Sequence, residues 1–240
     1  MAPSTATTGA VRWVPAWDLP TRLFKWSLVA LVLSAWLTHL GGDAWLQWHI
    51  WNGYAVLVLL VFRILWGFAG SSTARFSAWV SSPLAALRYG LALLQGRGRP
   101  YLSHNPLGAW MIIALMAVVG SQAVAGLFTV DHNGLIGGPF SNLDFGDPTP
   151  VQRNFSRYHH QAFNLILAFV AVHVAVNLFY QFVKNDPVIR AMIVGTKPVE
   201  PFADQPEMRP GRHLALRAVL CFAAALLIVL GGLRLLAGGL

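Results

Sequence analysis

Five nearly continuous apolar stretches alternate with polar connections punctuated by glycine and proline. They fall near residues 23–40, 48–69, 106–129, 159–182 and 214–238. Each can cross a hydrocarbon core of about 30 Å, which takes about 20 helical residues. Backbone N–H and C=O groups find no water there, so each span must satisfy them internally as an α-helix. The pattern predicts an all-α integral membrane protein with five transmembrane helices.

The connections differ in kind. "GGDAWLQ" (41–47) is a tight turn between antiparallel neighbours. Segment 70–105 carries "RFSAWVSSPLAALRYGLALL", whose mixed apolar and basic positions suit a helix lying along the interface. Segment 130–157 is dense in Gly, Pro, Asn and Asp; it is expected to be a loop and the largest external surface, a docking site for a partner. Segment 186–213 is expected to be a polar linker before a separate last helix. Trp45, Trp48 and Trp51 mark the outer boundary, and Trp13, Trp17 and Trp26 the inner one, as aromatic belts.

Charge changes the picture through its placement. The net charge is +8. Arg12 and Arg22 precede the first span; Arg75, Arg88, Arg97 and Arg99 separate the second and third; Lys184, Arg190, Lys197, Arg209 and Arg212 separate the fourth and fifth. The first–second connection has no Lys or Arg, and in the third–fourth only Arg153 and Arg157 face Asp131, Asp144 and Asp147. This asymmetry predicts a cytoplasmic N-terminus and an external C-terminus. The basic charge is thus assigned to topology and anionic membrane lipid, with no nucleic acid partner. The first 20 residues lack an apolar core followed by a small-residue cleavage site, so no removable signal peptide is expected. Cys221 is the single cysteine, which excludes an intrachain disulfide and CxxCH haem attachment.

Candidate chemistry rests on the eight histidines: His39, His49, His104, His132, His159, His160, His173 and His213. His173 lies within a span, among "LILAFVAVHVAVNLFY", where an ionisable group points to function. His159 and His173 are 14 residues apart, which puts them about 40° apart around a helix and roughly 21 Å apart along it. His160 points about 140° from His173. His49 opens the second span, level with His159, and Lys25 lies on the first span level with His173. Two same-face histidines near opposite boundaries suit two stacked cofactors, each completed from another helix. Haem iron takes imidazole as an axial ligand, and two imidazoles suit electron transfer. Hydrogen bonding between helices is the competing role for these histidines. Zinc suits them less, because its ligands cluster tetrahedrally. None of the nine acidic residues falls inside a span, so a proton-pumping path is disfavoured.

With these residues in view, the chain resembles the bacterial cytochrome b561 superfamily, especially the cytochrome b subunits of nickel–iron hydrogenases. The resemblance covers about residues 12–198. It is carried by "WDLPTRLFKW", "HIWNGYAVLVLLVFRILWGFAGSSTARF", "SHNPLGAWMIIALMAVVGSQAVAGLF", "HHQAFNLILAFVAVHV" and "RAMIVGTK", in that order. It implies a four-helix membrane domain over 1–198 that binds two haems b, with 199–240 as a linker and an additional fifth span. His49 and His159 would ligate the outer haem, with His160 left open as the alternative to His159. His173 would serve the inner haem together with the histidine of an "RLFHW" motif.

Here that motif reads "RLFKW", and Lys25 stands at the ligand position. Three roles follow: Lys25 as a neutral amine ligand, Lys25 paired with a haem propionate or snorkelling to the interface, or an inner haem that is missing. His39 lies about 20 Å from Lys25 along the same helix. His104 is the weaker substitute, because the resembling family carries a histidine there without using it as a ligand. Gly53, four residues after His49, would admit a porphyrin face, as Gly120 and Gly126 would in the third span. Arg63 would neutralise an inner propionate or snorkel. Arg153 and Arg157 would serve the outer haem or an acidic partner, and Arg234 would snorkel.

The implied function is a b-type cytochrome of the bacterial inner membrane. It would carry electrons between a periplasmic redox protein, a hydrogenase-like enzyme or a c-type cytochrome, and the quinone pool or another membrane acceptor. It would act as an electron-transfer subunit rather than a stand-alone enzyme. The alternative is a cofactor-poor anchor or assembly subunit of a redox complex.

Overall fold

The computed structural model describes residues 11–130, 137–141 and 150–237. His132, Asp131, Asp144 and Asp147 lie outside the described residues, as does half of the expected docking loop. In order, the elements are β1 (Trp13–Pro15), α1 (Leu19–Leu40), a 3₁₀ turn (Gly42–Trp45) and α2 (Leu46–Ala69). Then come α3 (Phe76–Trp79), α4 (Pro83–Leu94), α5 (Pro106–Gly126) and α6 (Pro150–Phe182). The last are α7 (Val188–Val194), β2 (Thr196–Pro198), α8 (Leu214–Leu226), a π-helical turn (Leu227–Gly231) and α9 (Gly232–Ala237).

Among the described residues five helices are long and apolar enough to cross a membrane, so the protein is a multi-pass membrane helix bundle. Sequence chemistry sets their starts. Asp18 caps α1 by accepting from Thr21 N at 2.7 Å. Asn105 and Ser82 cap α5 and α4 in the same way, each followed by proline in the first turn, where its missing N–H costs nothing. The boundary that departs most from expectation is the start of α6. Helix α6 begins at Pro150, so the last eight residues assigned to the outer loop form its first two turns.

Helix α2 is the axle. It packs against α1, α5 and α8, while α6 packs on α5. Half of its most apolar stretch is buried, against 11–17% for the other four spans. One face meets α8 and the following turns through Tyr54, Val58 and Phe62 against Ala225, Val229 and Leu233. Another meets α5 and α6 through Val56 and Leu60 against Val119 and Ile166. Between helices in lipid, close packing rather than exclusion from water supplies the attraction. The exposed apolar faces of α1 (Val29, Leu33, Leu37) and α6 (Leu165, Val172, Val176) are the surfaces that lipid covers.

The end of the bundle expected to face inward is more ordered than its composition suggests. The segment 186–213, expected to be a linker, contains α7 and β2, and β2 pairs antiparallel with β1. The described residues are therefore helical with a small two-stranded ladder, against the all-α expectation. Gly195 makes the turn between α7 and β2 at φ +94°, a conformation that favours glycine. Its carbonyl accepts from Ala16 N and Trp17 N, and Arg22 donates to Ile193 O at 2.5 Å. Lys197, only 2% exposed, bridges Asp186 at 2.8 Å and donates to Tyr101 O at 3.1 Å. Asp204 accepts from Leu102 N, Ser103 N and Ser103 Oγ.

Replacing Lys197 by methionine keeps the volume but leaves Asp186 and the Tyr101 carbonyl without their cation. The expected cost is about 1–3 kcal/mol. Thermal unfolding in detergent reads it as a lowered midpoint; an unchanged midpoint would show that the cap does not depend on this bridge.

Candidate functional site

Among the described residues four histidines converge at the end of the bundle expected to face outward. His39 comes from the last turn of α1, His49 from the first turn of α2, and His159 and His160 from α6. Neighbouring ring centroids are 6.2 Å apart for His39–His49, 6.0 Å for His49–His159, 6.2 Å for His159–His160 and 6.1 Å for His160–His39. Among the described residues no cluster of three or more His, Cys, Asp or Glu could hold a metal ion directly.

Hydrogen bonds set the orientation of the central pair. His49 Nδ1 lies 3.0 Å from Ala35 O on α1, and His159 Nδ1 lies 2.9 Å from Gln122 O on α5. A carbonyl only accepts, so each Nδ1 carries the proton and donates it. Each Nε2 is left with a bare lone pair. His160 Nδ1 donates to Ser156 O on its own helix at 2.7 Å. The His49 and His159 planes are nearly perpendicular, at 84°.

A cavity of about 740 Å³ opens beside these rings, and a narrower void of about 130 Å³ continues it. Both are bordered by His39, His49, Gly53, Ala123, His159 and His160. The larger volume falls within the ~300–1,000 Å³ typical of cofactor pockets. Arg153 and Arg157 border the larger cavity as well. A methyl group added at Gly53 would meet nothing within 4 Å, so this glycine faces open space. At Gly126 it would come within 3.0 Å of His159 Cε1, so the absence of a side chain there lets the ring approach α5.

The inner end is built differently. Lys25 Nζ sits 3.5 Å from the centroid of the Trp17 ring. Trp17 packs edge-on against His104 at 4.9 Å, His104 lies 5.0 Å from Trp79, and Arg63 Cζ lies 5.5 Å from Trp79. Trp17 is 6% exposed, so it belongs to this stack rather than to an interfacial belt. Arg63 is 2% exposed, and its Nη1 has no hydrogen-bond partner among the described residues. His173 stands on α6 with Asn177 one turn later. The Asn177 amide donates to His173 Nε2 at 3.2 Å and to His173 O at 2.7 Å. Gly120, also expected to face a porphyrin, meets Leu60 at 3.6 Å in ordinary packing.

The prokaryotic cytochrome b561 family model matches residues 16–195. The chain belongs to that family. Among its relatives are two proteins named probable Ni/Fe-hydrogenase B-type cytochrome subunit. The one from Azotobacter vinelandii is 26% identical over 213 residues, 76% of this chain and 85% of that protein. The one from Rhizobium leguminosarum bv. viciae is 24% identical over 220 residues, 77% of this chain and 88% of that protein. A membrane-embedded protein of this family is consistent with electron transfer, and membership in the cytochrome b561 family implies haem b.

The structure thus brings His49 and His159 together and lines their cavity with Gly53. It places Lys25, Arg63 and His104 in the inner stack. Sequence periodicity on α6 does not single out His39, yet a signal for it exists: Lys25 and His39 repeat the 14-residue spacing of His159 and His173 on the antiparallel helix. Asp18 had no such signal. It is 2% exposed and accepts from Trp66 Nε1, Ser71 N and Ser71 Oγ, tying the start of α1 to the end of α2.

His104 precedes α5 and lies outside the spans. Burial, then the charges of Lys25 and Arg63, hold its imidazole well below the ordinary 6.5. The folded protein therefore keeps His104 neutral at pH values where the unfolded chain protonates it. The stability this gives is complete above about pH 6.5 and is lost as pH falls. The His104→Gln variant is expected to lose less stability than wild type between pH 7 and pH 5. Denaturation midpoints that fall equally in both proteins would contradict this.

Proposed function

We propose that this cytochrome b561 holds haem b between His49 and His159 and carries electrons across its outer face. The carrying observation is the pair of imidazoles 6.0 Å apart, each tethered at Nδ1 to a neighbouring helix. Two metal–imidazole bonds of about 2.0–2.1 Å, plus about 1.1 Å from nitrogen to ring centre on either side, require roughly 6.3 Å. That agreement, the adjoining cavity and the side-chain-free edge at Gly53 support the fit. Ring tethers of this kind fix the tautomer and raise ligand basicity, as in other metal sites. Arg153 and Arg157 at the cavity border would offset the propionate charges. When bound, haem b supplies a one-electron iron couple whose potential follows from its axial ligands and the dryness of the site.

The remaining finer assignments belong to the same reading. Segment 1–198 is the haem-carrying unit, and α8 with its continuation is an appended fifth span against α2. The N-terminus is cytoplasmic and the C-terminus periplasmic in a bacterial inner membrane, following the placement of Lys and Arg. The relatives' names support a redox enzyme as partner, so we take the donor to be a periplasmic hydrogenase-like protein or a c-type cytochrome. The acceptor is the quinone pool or another membrane carrier.

Absorbance of the purified chain tests the ligands. Wild type is expected to show a six-coordinate b-type spectrum. The signal is lost in His49→Ala and His159→Ala and kept in His39→Ala and His160→Ala. Wild type without haem would leave the cofactor-poor anchor as the function. Loss in His160→Ala with retention in His159→Ala would exchange those two roles.

Gly126→Ala tests the support of the ring. The added methyl presses on His159, and haem affinity is expected to fall about 10-fold, the lower end of what disturbing a ligand's supporting contacts costs. Haem transfer to apomyoglobin measures it; an unchanged transfer rate would show that the ring has room to spare.

A further inference from the structure

Resting on that outer-haem reading, we propose that this chain carries a single haem and that its inner level is closed to a second one. A six-coordinate iron needs two bare lone pairs facing each other from different helices. At the outer level, both Nε2 atoms are free because both protons sit on the tethered Nδ1 atoms. Among the described residues the inner level has no such pair.

The side chain of His173 is engaged. An amide nitrogen only donates, so the Asn177 contact at 3.2 Å occupies the lone pair of His173 Nε2. Asn177 is itself tied to the His173 carbonyl at 2.7 Å, so the clamp is local to one helical turn. This leaves the proton on Nδ1, and neither ring nitrogen is a ready ligand.

Lys25 is engaged as well, and in the opposite direction. Trp17 precedes the first residue of α1, and Lys25 Nζ rests on its ring at 3.5 Å. Helical side chains lean toward the N-terminus, so the stem runs toward the inner boundary. The species an indole face favours is the ammonium, which has no lone pair for iron. Behind Trp17 the stack continues through His104 and Trp79 to Arg63. Trp17, Trp79 and Arg63 are each at most 6% exposed, so the inner end is a packed cationic plug. Substituting lysine for histidine in "RLFKW" removes a ligand and supplies one end of that plug.

Haem stoichiometry tests the proposal on the full chain, purified in detergent from haem-supplemented membranes. Haem is measured as the pyridine haemochrome and protein by amino-acid analysis. One haem per chain is expected in wild type, unchanged in Lys25→Ala and in the conservative His173→Gln, and absent in His49→Ala. Two per chain in wild type would overturn the single-haem proposal while leaving the outer site intact. A ratio of one that drops in His173→Gln would overturn it too, because the haem would then be the inner one. A wild-type ratio of zero would instead sink the outer-haem reading. The double variant Lys25→His, Asn177→Leu restores both ligand atoms and is expected to gain haem; a ratio still at one would remove the roles given to Lys25 and Asn177.

Discussion

Two hydrogen bonds between helices set the terms of the outer site. A helix carbonyl of α1 takes the Nδ1 proton of His49, and a helix carbonyl of α5 takes that of His159. Each bond fixes a ring, chooses its tautomer and joins a pair of helices. Without them the imidazoles would rotate freely beside a cavity, and the outward nitrogen of each would be undetermined. The helices that supply these carbonyls are also those packed against the ligand-bearing helices, so the positioning comes from the bundle itself.

The central place of α2 follows from the physics of lipid. Apolar side chains gain little by leaving hydrocarbon for a protein interior, so helices associate where shapes fit closely. Helix α2 offers such surfaces to α1, α5 and α8 at once, and half of its apolar stretch is buried. Its first turn carries His49 and its last third carries Arg63, so one rigid element spans both levels. Helix α8 packs on the Tyr54–Val58–Phe62 face of α2, and the cavity is bordered by α2 at His49 and Gly53.

The two levels solve different electrostatic problems. The outer level holds neutral rings with bare nitrogens beside a large cavity. The inner level holds a lysine and an arginine against an aromatic framework, with the buried Asp18 carboxylate nearby holding the start of α1 against Trp66 and Ser71. Cation–aromatic contacts need no hydrogen-bond acceptor, which is how Arg63 stays buried with one nitrogen unpaired. Beyond this stack, the β1–β2 ladder and the Lys197–Asp186 bridge cover the inner face.

Hydropathy alone determines the number of membrane helices and nearly all their limits, because the bilayer forces a long apolar segment to be helical. Helical periodicity likewise puts His159 and His173 on one face, since that follows from residue spacing within one element. The start of α6 escaped the pattern because its first two turns, "PVQRNFSR", are polar and project past the apolar core. The ordered inner cap escaped it for a related reason: proline-rich, charged segments look like linkers until their partners, far away in the chain, are known. Ring spacing, tautomer and the resting place of Lys25 depend on pairs of helices meeting at a given rotation. A linear sequence holds no record of that rotation, and only the packed bundle decides which lone pairs are left open.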